Sequence, residues 1–183
     1  SNPWGEINSS SPEVELPENF IALAPGATYE SKQIPETTLD AICTEIDSKF
    51  VVVGGGDMVD LGSRLSEKFP EKVIDLCGKL SLGETSHIMK KARVAVGGDT
   101  GAMHLATAVG ARLVSVWGCT RPSLGLAPWK ANPQSKILIP RGRGSRPCSR
   151  HGDKCRFKRL GKDLCINHVS PDVVVSAVRD LIK

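Results

Sequence analysis

Short, almost wholly apolar runs alternate with segments of helical length along this chain, and that alternation restricts its fold more than any other feature. The runs are rich in Val, Ile, Leu and Ala, as expected of strands buried on both faces of a sheet. They lie at 20–24, 50–53, 73–76, 94–97, 113–117 and 137–139. Because strands that alternate with helices form right-handed βαβ units, the pattern predicts an α/β fold with a Rossmann-like parallel sheet flanked by helices.

Periodicity and capping signals identify the helices between the runs. Ser81 and Glu84 form a capping box, in which each side chain satisfies a backbone amide at the helix start. The dipeptide Ser170-Pro171 likewise predicts the start of a terminal helix. The predicted helical segments are 35–48, a segment around 58–65, one that opens at Ser81, 102–109 and 170–183.

The length of 183 residues suits one domain. The polar residues 1–18 are interpreted as a tag or linker, which leaves 19–183 as the domain. No apolar run reaches the roughly 18 residues needed to cross a membrane, and no secretory signal pattern is visible at the N-terminus. We therefore expect a cytoplasmic protein in a reducing compartment.

Positive charge is concentrated near the C-terminus. Residues 141–163 contain nine Lys or Arg and two Asp, a formal charge of +7, whereas the whole chain carries +4. We predict a basic, Cys-containing loop over 141–168 on a mildly acidic body. Such a loop can attract phosphates, nucleic acid or an anionic membrane, or it can simply be a solvated loop.

Three cysteines and a histidine in this loop are candidate metal ligands. Cys148, His151, Cys155 and Cys165 could together bind Zn²⁺, although their spacings are irregular and no Cys-x2-Cys knuckle is present. Free thiols that hold the loop in place, or a disulfide, are the alternatives.

Polar or glycine-rich turns follow five of the six apolar runs. They lie at 25–28, 54–57, 78–81, 98–101 and 118–122. Ligands of parallel sheets bind beyond the carboxyl ends of the strands. The sequence therefore predicts one ligand-binding edge to which all these turns contribute.

The turn Gly98-Asp99-Thr100-Gly101 is the predicted phosphate site. Free amides at the start of the following helix attract anions, and Gly101 lets a phosphate approach closely. Asp99 either caps the helix or accepts hydrogen bonds from a sugar hydroxyl. His104, on the same helix, is either a core residue or a ligand contact.

The loops after the first two runs offer further contacts. Lys32 could reach a diphosphate as a mobile point charge, and Thr28 offers a hydroxyl to the same anion. Gly54-Gly55-Gly56 would permit close approach of a flat ligand. Asp57 either caps the next helix or binds a ribose hydroxyl.

The stretch from Asp99 to Pro122 contains Asp-Thr-Gly-Ala-Met-His-Leu-Ala-Thr-Ala-Val-Gly and then Val-Trp-Gly-Cys-Thr-Arg-Pro. It resembles the heptosyltransferases of glycosyltransferase family 9, and the resemblance extends over nearly all of residues 20–183. It implies a GT-B fold of two facing Rossmann-like domains, of which this chain is the C-terminal, nucleotide-sugar-binding half. The N-terminal acceptor domain, where the family has its catalytic base, is expected to be absent.

Residue roles follow from the same resemblance. Lys32 corresponds to a lysine that contacts the donor diphosphate, Asp99 to an aspartate that binds hydroxyls of the transferred sugar, and Leu80 to an apolar position against the nucleobase. The residues Gln33-Ile34-Pro35 depart from the family pattern, which leaves donor identity open. The implied donor-binding set is Thr28, Lys32, Asp57, Leu80, Asp99, Thr100, Gly101 and His104.

The expected function is binding of a nucleotide-sugar, ADP-heptose-like donor for an inverting glycosyltransferase of lipopolysaccharide or cell-surface glycan synthesis. No cofactor or metal is expected, no catalytic residue is assigned to this chain, and the chain alone is expected to be inactive. A lipid-linked or lipopolysaccharide-type acceptor would be bound through the missing domain, with peripheral contact at the inner face of the cytoplasmic membrane.

Two alternatives stay open. One is a nucleotide-sugar epimerase-like GT-B domain, which would need further acid–base residues. The other is a nucleic-acid-binding module that uses the basic loop. That loop offers a single aromatic residue for base stacking, Phe157, so nucleic acid is not the expected partner.

Overall fold

Six parallel strands form one sheet in the computed structural model, which describes residues 10–140 and 147–183. The strand order β3-β2-β1-β4-β5-β6 is that of a Rossmann fold. The six predicted strands are confirmed, and their ends shift by a residue at most. The strands are β1 Phe20–Ala24, β2 Lys49–Val52, β3 Val73–Asp75, β4 Val94–Gly97, β5 Leu113–Val116 and β6 Lys136–Leu138.

The predicted helices are also present. The first ends at Glu45 rather than at 48, because Ile46 is already extended and buried where the chain turns into β2. The capping box of the third is formed: Glu84 N donates to Ser81 Oγ at 3.2 Å, and Ser81 N donates to Glu84 Oε2 at 2.8 Å. The helices are α1 Glu36–Glu45, α2 Val59–Lys68, α3 Leu82–Lys91, α4 Gly101–Ala108, α5 Arg156–Arg159 and α6 Pro171–Ile182.

The sheet separates two apolar layers. On one face, strand residues such as Leu23 and Val96 pack against α1, α2 and α6. On the other face, residues such as Trp117 and Met103 form a second cluster with α3 and α4. The buried Trp117 indole donates its Nε1 proton to Ser115 Oγ at 2.9 Å, which satisfies its only polar atom.

The strand order changes direction beside β1, and this change determines where a ligand site can form. β1 pairs with β2 on one side and with β4 on the other, so that Leu23 lies opposite both Val52 and Val96. The helices that follow β1 and β4 lie on opposite faces of the sheet. A crevice therefore opens between the carboxyl ends of these two strands.

Residues 147–168, which we call the Cys segment, pack on the face that carries α1 and α6. Cys155, Leu164 and Ile166 are buried in that layer. The prediction of a loop over 141–168 is incomplete, since the segment contains α5 and a 3-10 turn at Cys165–His168. Residues 141–146 of the predicted loop lie outside the described residues, as do residues 1–9 of the predicted linker.

Among the described residues, none of the helices combines the length and the apolar character needed to cross a bilayer.

Candidate functional site

A cavity of about 600 Å³ opens between the carboxyl ends of β1 and β4. The turns after β1, β2 and β4, the start of α3 and one side of α4 form its walls. Five predicted donor-binding residues line it, namely Asp57, Leu80, Thr100, Gly101 and His104. The cavity has the size and position expected of a ligand site in this fold.

One end of the cavity is the first turn of α4. Thr100, not Asp99, is the N-cap residue, and its side chain makes no capping hydrogen bond. Its buried Oγ1 has no hydrogen-bond partner among the described residues. A Cβ built on Gly101 would meet no atom within 4 Å, so the helix start faces open space. Uncapped amides that face open space at a helix N-terminus are suited to an anion.

Lys32 and Asp99 form an ion pair beside this helix start. Lys32 Nζ lies 2.8 Å from Asp99 Oδ2, and the two side chains are 14% and 5% exposed. Neither residue lines the cavity itself, but Asp99 immediately precedes Thr100, which does. The structure thus places a largely buried cation at the edge of the predicted phosphate site.

Thr28 is not brought to the cavity. It is exposed on the loop that follows β1. This loop is closed by hydrogen bonds from Ile34 N to Pro25 O at 3.0 Å and from Gln33 Nε2 to Ala27 O at 2.9 Å. Any contact between Thr28 and a ligand would require the ligand to extend beyond the cavity.

The other end of the cavity is apolar. Leu80 and Met58 form part of its wall, and so does Leu82 at the start of α3, which is 80% exposed. A Cβ on Gly54 would lie 2.7 Å from Met58 Cβ, and one on Gly26 would lie 2.4 Å from Met58 Cγ. Gly54 thus makes room for Met58, but Gly54 and Gly55 also line the cavity, so the close approach of a flat ligand to this turn stays a prediction.

Asp57 and His104 lie on opposite sides of the cavity. Asp57 is exposed in the 3-10 turn Gly56–Met58, and its side chain caps no helix. His104 is half-buried on α4, together with Leu105 and Ala108, which also line the wall. Sequence reasoning missed Leu105 and Ala108, although helical spacing from Gly101 would have placed them on the same face.

The turn Glu30–Lys32, which we call the Lys32 turn, fits closely against two strand ends. A Cβ on Gly98 would lie 2.4 Å from Lys32 O, and a Cβ on Gly118 would lie 2.1 Å from Ser31 O. These glycines are needed for close approach of backbone to backbone. No residue of turn 118–122 lines the cavity, although the turn is predicted to contribute to the binding edge. Its contribution is limited to the contact of Gly118 with the Lys32 turn.

All six cysteines are free thiols, and five of them are buried. Burial raises the pKa of Cys43 and of Cys77 to about 12 and that of Cys165 to about 11, so these thiols are neutral at pH 7. Within residues 10–140 and 147–183, no three side chains of His, Cys, Asp or Glu come together as metal ligands. The set Cys148, His151, Cys155 and Cys165 is therefore not assembled as metal ligands in this part of the chain, although Cys165 interacts electrostatically with Cys148 and Cys155, and a structural zinc stays a prediction.

The chain is similar in structure to glycosyltransferases. It superposes on E. coli ADP-heptose LPS heptosyltransferase II with a TM-score of 0.74 and 15% identity over 93% of this chain and 48% of the other. On the family 9 glycosyl transferase from Veillonella parvula it superposes with a TM-score of 0.72 and 19% identity over 90% of this chain and 46% of the other. On E. coli heptosyltransferase WaaC with ADP-2-deoxy-2-fluoro heptose the TM-score is 0.63, with 20% identity over 89% of this chain and 43% of the other.

This chain spans about half the length of each of these proteins. The likeness confirms the predicted Rossmann-like sheet of a GT-B glycosyltransferase. No curated protein sequence matches the chain. The sequence model of glycosyltransferase family 9 (heptosyltransferase) matches residues 4–156, which is most of the chain, and the protein therefore belongs to glycosyltransferase family 9.

Proposed function

We propose that this chain is the nucleotide-sugar-binding, C-terminal half of an inverting GT-B glycosyltransferase. The observation that carries the proposal is the cavity between β1 and β4, with the uncapped start of α4 and the Lys32–Asp99 ion pair at one end and the apolar wall of Leu80 and Met58 at the other. One end suits a diphosphate and the other a nucleobase.

The donor is placed by matching its parts to these surfaces. The base lies against Leu80, the ribose approaches Asp57, and the diphosphate lies at the amides of Thr100 and Gly101. The Lys32 ammonium, which lies beside this helix start in its pair with Asp99, redirects its protons to the diphosphate while its stem stays in place, because two negative phosphates attract an ammonium more strongly than one carboxylate does. Asp99 is thereby released to accept hydrogen bonds from hydroxyls of the sugar. His104 also lies near the sugar. Thr28 belongs to the outer edge of the donor-binding set.

This arrangement supplies the electrostatic part of a transfer reaction. An acceptor hydroxyl attacks the anomeric carbon of the sugar, and the nucleoside diphosphate leaves. Lys32 and the α4 amides stabilise the charge that develops on the leaving diphosphate, so the proposal requires neither a metal ion nor a cofactor. The base that deprotonates the acceptor is assigned to the N-terminal domain of the family and not to this chain.

The donor proposal is tested by nucleotide binding. ADP, UDP and GDP are titrated calorimetrically, and the tightest binder is measured again with Lys32→Ala. We expect about a tenfold loss, as for a charge-assisted contact to phosphate. Lys68→Ala is the matched control, because Lys68 pairs with Asp40 at 2.7 Å on the exposed surface away from the cavity. Failure of all three diphosphates to bind would contradict the proposal.

The donor sugar is proposed from the family. E. coli heptosyltransferase WaaC, of similar fold, has been solved with ADP and with ADP-2-deoxy-2-fluoro heptose. We therefore propose an ADP-heptose-like donor and an acceptor of the lipid-linked or lipopolysaccharide type. Tighter binding of UDP-glucose than of ADP-heptose would overturn the sugar assignment, and interconversion of sugar epimers without an acceptor would favour the epimerase-like alternative.

The same proposal places the protein in the cytoplasm, with peripheral contact at an anionic membrane. The Cys segment supplies the contact surface: Arg156, Arg159 and Lys162 are exposed around Leu160, whose side chain is 60% exposed. Basic residues with an adjacent apolar side chain suit an anionic lipid surface.

Sedimentation with phosphatidylglycerol vesicles should retain the protein, and phosphatidylcholine vesicles should not. The double charge reversal Arg159→Glu with Lys162→Glu should abolish retention, whereas Lys90→Glu with Lys91→Glu, at the end of α3, should not. Retention that does not depend on lipid charge would contradict the membrane contact. Tighter binding to RNA than to anionic vesicles would favour the nucleic-acid alternative.

A further inference from the structure

We propose that Gly152 of the Cys segment is a positioning residue that holds Lys32 at the diphosphate site. The inference rests on the proposed role of Lys32 in donor binding. It assigns a function to the Cys segment, which does not line the cavity.

Gly152 is joined to the Lys32 turn by direct hydrogen bonding. Ser31 Oγ donates to Gly152 O at 2.6 Å, and Ser31 is only 5% exposed. Gly152 N donates to Ser149 Oγ at 2.8 Å, and Ser149 Oγ in turn lies 3.0 Å from Asp153 Oδ1. Both polar groups of the Gly152 backbone are thus satisfied, and the glycine has a fixed place against the turn.

The backbone of Gly152 lies against the aliphatic stem of Lys32. Its φ is +92°, and a Cβ built on it would lie 2.8 Å from Lys32 Cε and 3.1 Å from Lys32 Cγ. No side chain fits there unless the lysine moves. The same Cβ would lie 3.1 Å from Ser31 Oγ, which must give by a few tenths of an ångström. The far end of the lysine side chain is flexible, so a methyl group at this position would mainly displace the ammonium, at limited cost to the fold.

Gly152 limits the space available to the side chain of Lys32. The backbone of the turn is already fixed by Gly98 and Gly118 on the sheet side. An additional ion pair between Lys158 of α5 and Glu30 attaches the Cys segment to the start of the same turn. With the backbone of the turn fixed in this way and the stem of Lys32 limited by Gly152, the ammonium is kept beside the start of α4, next to Asp99. Such preorganisation lowers the entropy lost when the lysine binds phosphate.

The test compares Gly152→Ala with Gly161→Ala. Gly161 lies in the same segment and has a φ of +65°, but a Cβ there would meet nothing within 4 Å. Both variants therefore carry the strain of alanine at positive φ, and both should lower Tm, Gly152→Ala by more because its φ lies farther from the left-handed region that alanine can adopt. Only Gly152→Ala displaces Lys32.

The readout is the ratio of affinities for ADP and adenosine, or for the diphosphate and nucleoside pair that binds best. We expect Gly152→Ala to weaken ADP binding about tenfold and to leave adenosine binding unchanged, whereas Gly161→Ala changes neither. A structural effect of the substitution would weaken both ligands together. In a Lys32→Ala background, Gly152→Ala should have no further effect on ADP, because the group it positions is gone.

The outcomes separate the two proposals. If the unmodified protein binds no nucleoside diphosphate, the donor proposal fails. If it binds ADP and Lys32→Ala weakens the binding, but Gly152→Ala behaves like Gly161→Ala, the donor proposal stands and the positioning role of Gly152 is wrong.

Discussion

Two surfaces enclose the Lys32 turn, and they act on different parts of it. On the sheet side, Gly98 and Gly118 end strands, and a side chain on either would collide with a backbone carbonyl of the turn, at 2.4 and 2.1 Å respectively. On the side of the Cys segment, a side chain on Gly152 would instead meet the side chain of Lys32, at 2.8 Å.

The difference separates glycines that affect the stability of the fold from the glycine that affects ligand binding. Backbone cannot move away from a collision without disturbing the sheet, so the sheet side determines whether the turn forms at all. A lysine side chain can move, so the Cys segment determines where the ammonium points once the turn exists. We therefore expect substitutions on the sheet side to reduce stability and those at Gly152 to reduce ligand binding.

The largest expected effect is on the sheet side. Gly118→Ala should lower the free energy of unfolding by about 3 kcal/mol, because the new methyl group collides with Ser31 O and this backbone carbonyl cannot move away. Gly56→Ala is the control, since a Cβ there meets nothing within 4 Å, and its effect should stay within about 0.5 kcal/mol. Urea unfolding measures both, and equal stability of the two variants would remove the proposed distinction.

The second-largest expected effect is the loss of stability when the Lys32–Asp99 ion pair is broken. Lys32→Ala should cost about 2 kcal/mol of stability, because Asp99, which is 5% exposed, is left without a cation. Lys68→Ala should cost less, about 1 kcal/mol, because the side chains of Lys68 and Asp40 are 55% and 27% exposed and water screens their pair more than it screens Lys32–Asp99. If chemical denaturation gave the two lysines the same cost, the Lys32–Asp99 pair would not be stabilising the site.

The smallest effect is a pH dependence of the Cys segment. Burial raises the pKa of Cys165 from 9.0 to about 11. Below pH 9 the thiol is protonated in both states, and between pH 9 and 11 it ionises only in the unfolded chain, so folding stability falls as pH rises. Discounted for solvent screening, this loss is on the order of 1 kcal/mol.

The comparison of unfolding at pH 8 and pH 10.5 measures this dependence. Cys165→Ala should show a smaller alkaline decline than the unmodified protein, and Cys148→Ala, which removes an exposed thiol, should not. A decline of the same size in all three proteins would show that Cys165 does not contribute to it.

The order of strands and helices could be predicted from local patterns. Continuous apolar runs and a capping box depend on neighbours in sequence, and the structure places all six strands and the Ser81 helix where these patterns put them. The same holds for the start of α4 after Gly98-Asp99-Thr100. Even the edge of the sheet at which the cavity opens follows from parallel strands.

Other features depended on contacts between distant residues. Nothing in the sequence around Gly26 indicates that it accommodates Met58 of the next loop, and Asp99 looks like a helix cap until Lys32 is seen beside it. The link between Ser31 and Gly152 spans 121 positions. No periodicity or spacing rule reports such a pair, because hydrogen bonds of this kind are formed only when the sheet has brought both segments together.

The sequence by itself thus determined the Rossmann-like fold, its family and the sheet edge at which the cavity opens, since each is encoded in contiguous residues whose local physics is sufficient. The tertiary structure alone decided which glycines make room for another part of the chain. It also decided that Lys32 faces Asp99 and that the Cys segment confines it, because packing at distances of a few ångströms depends on residues that the chain order keeps far apart.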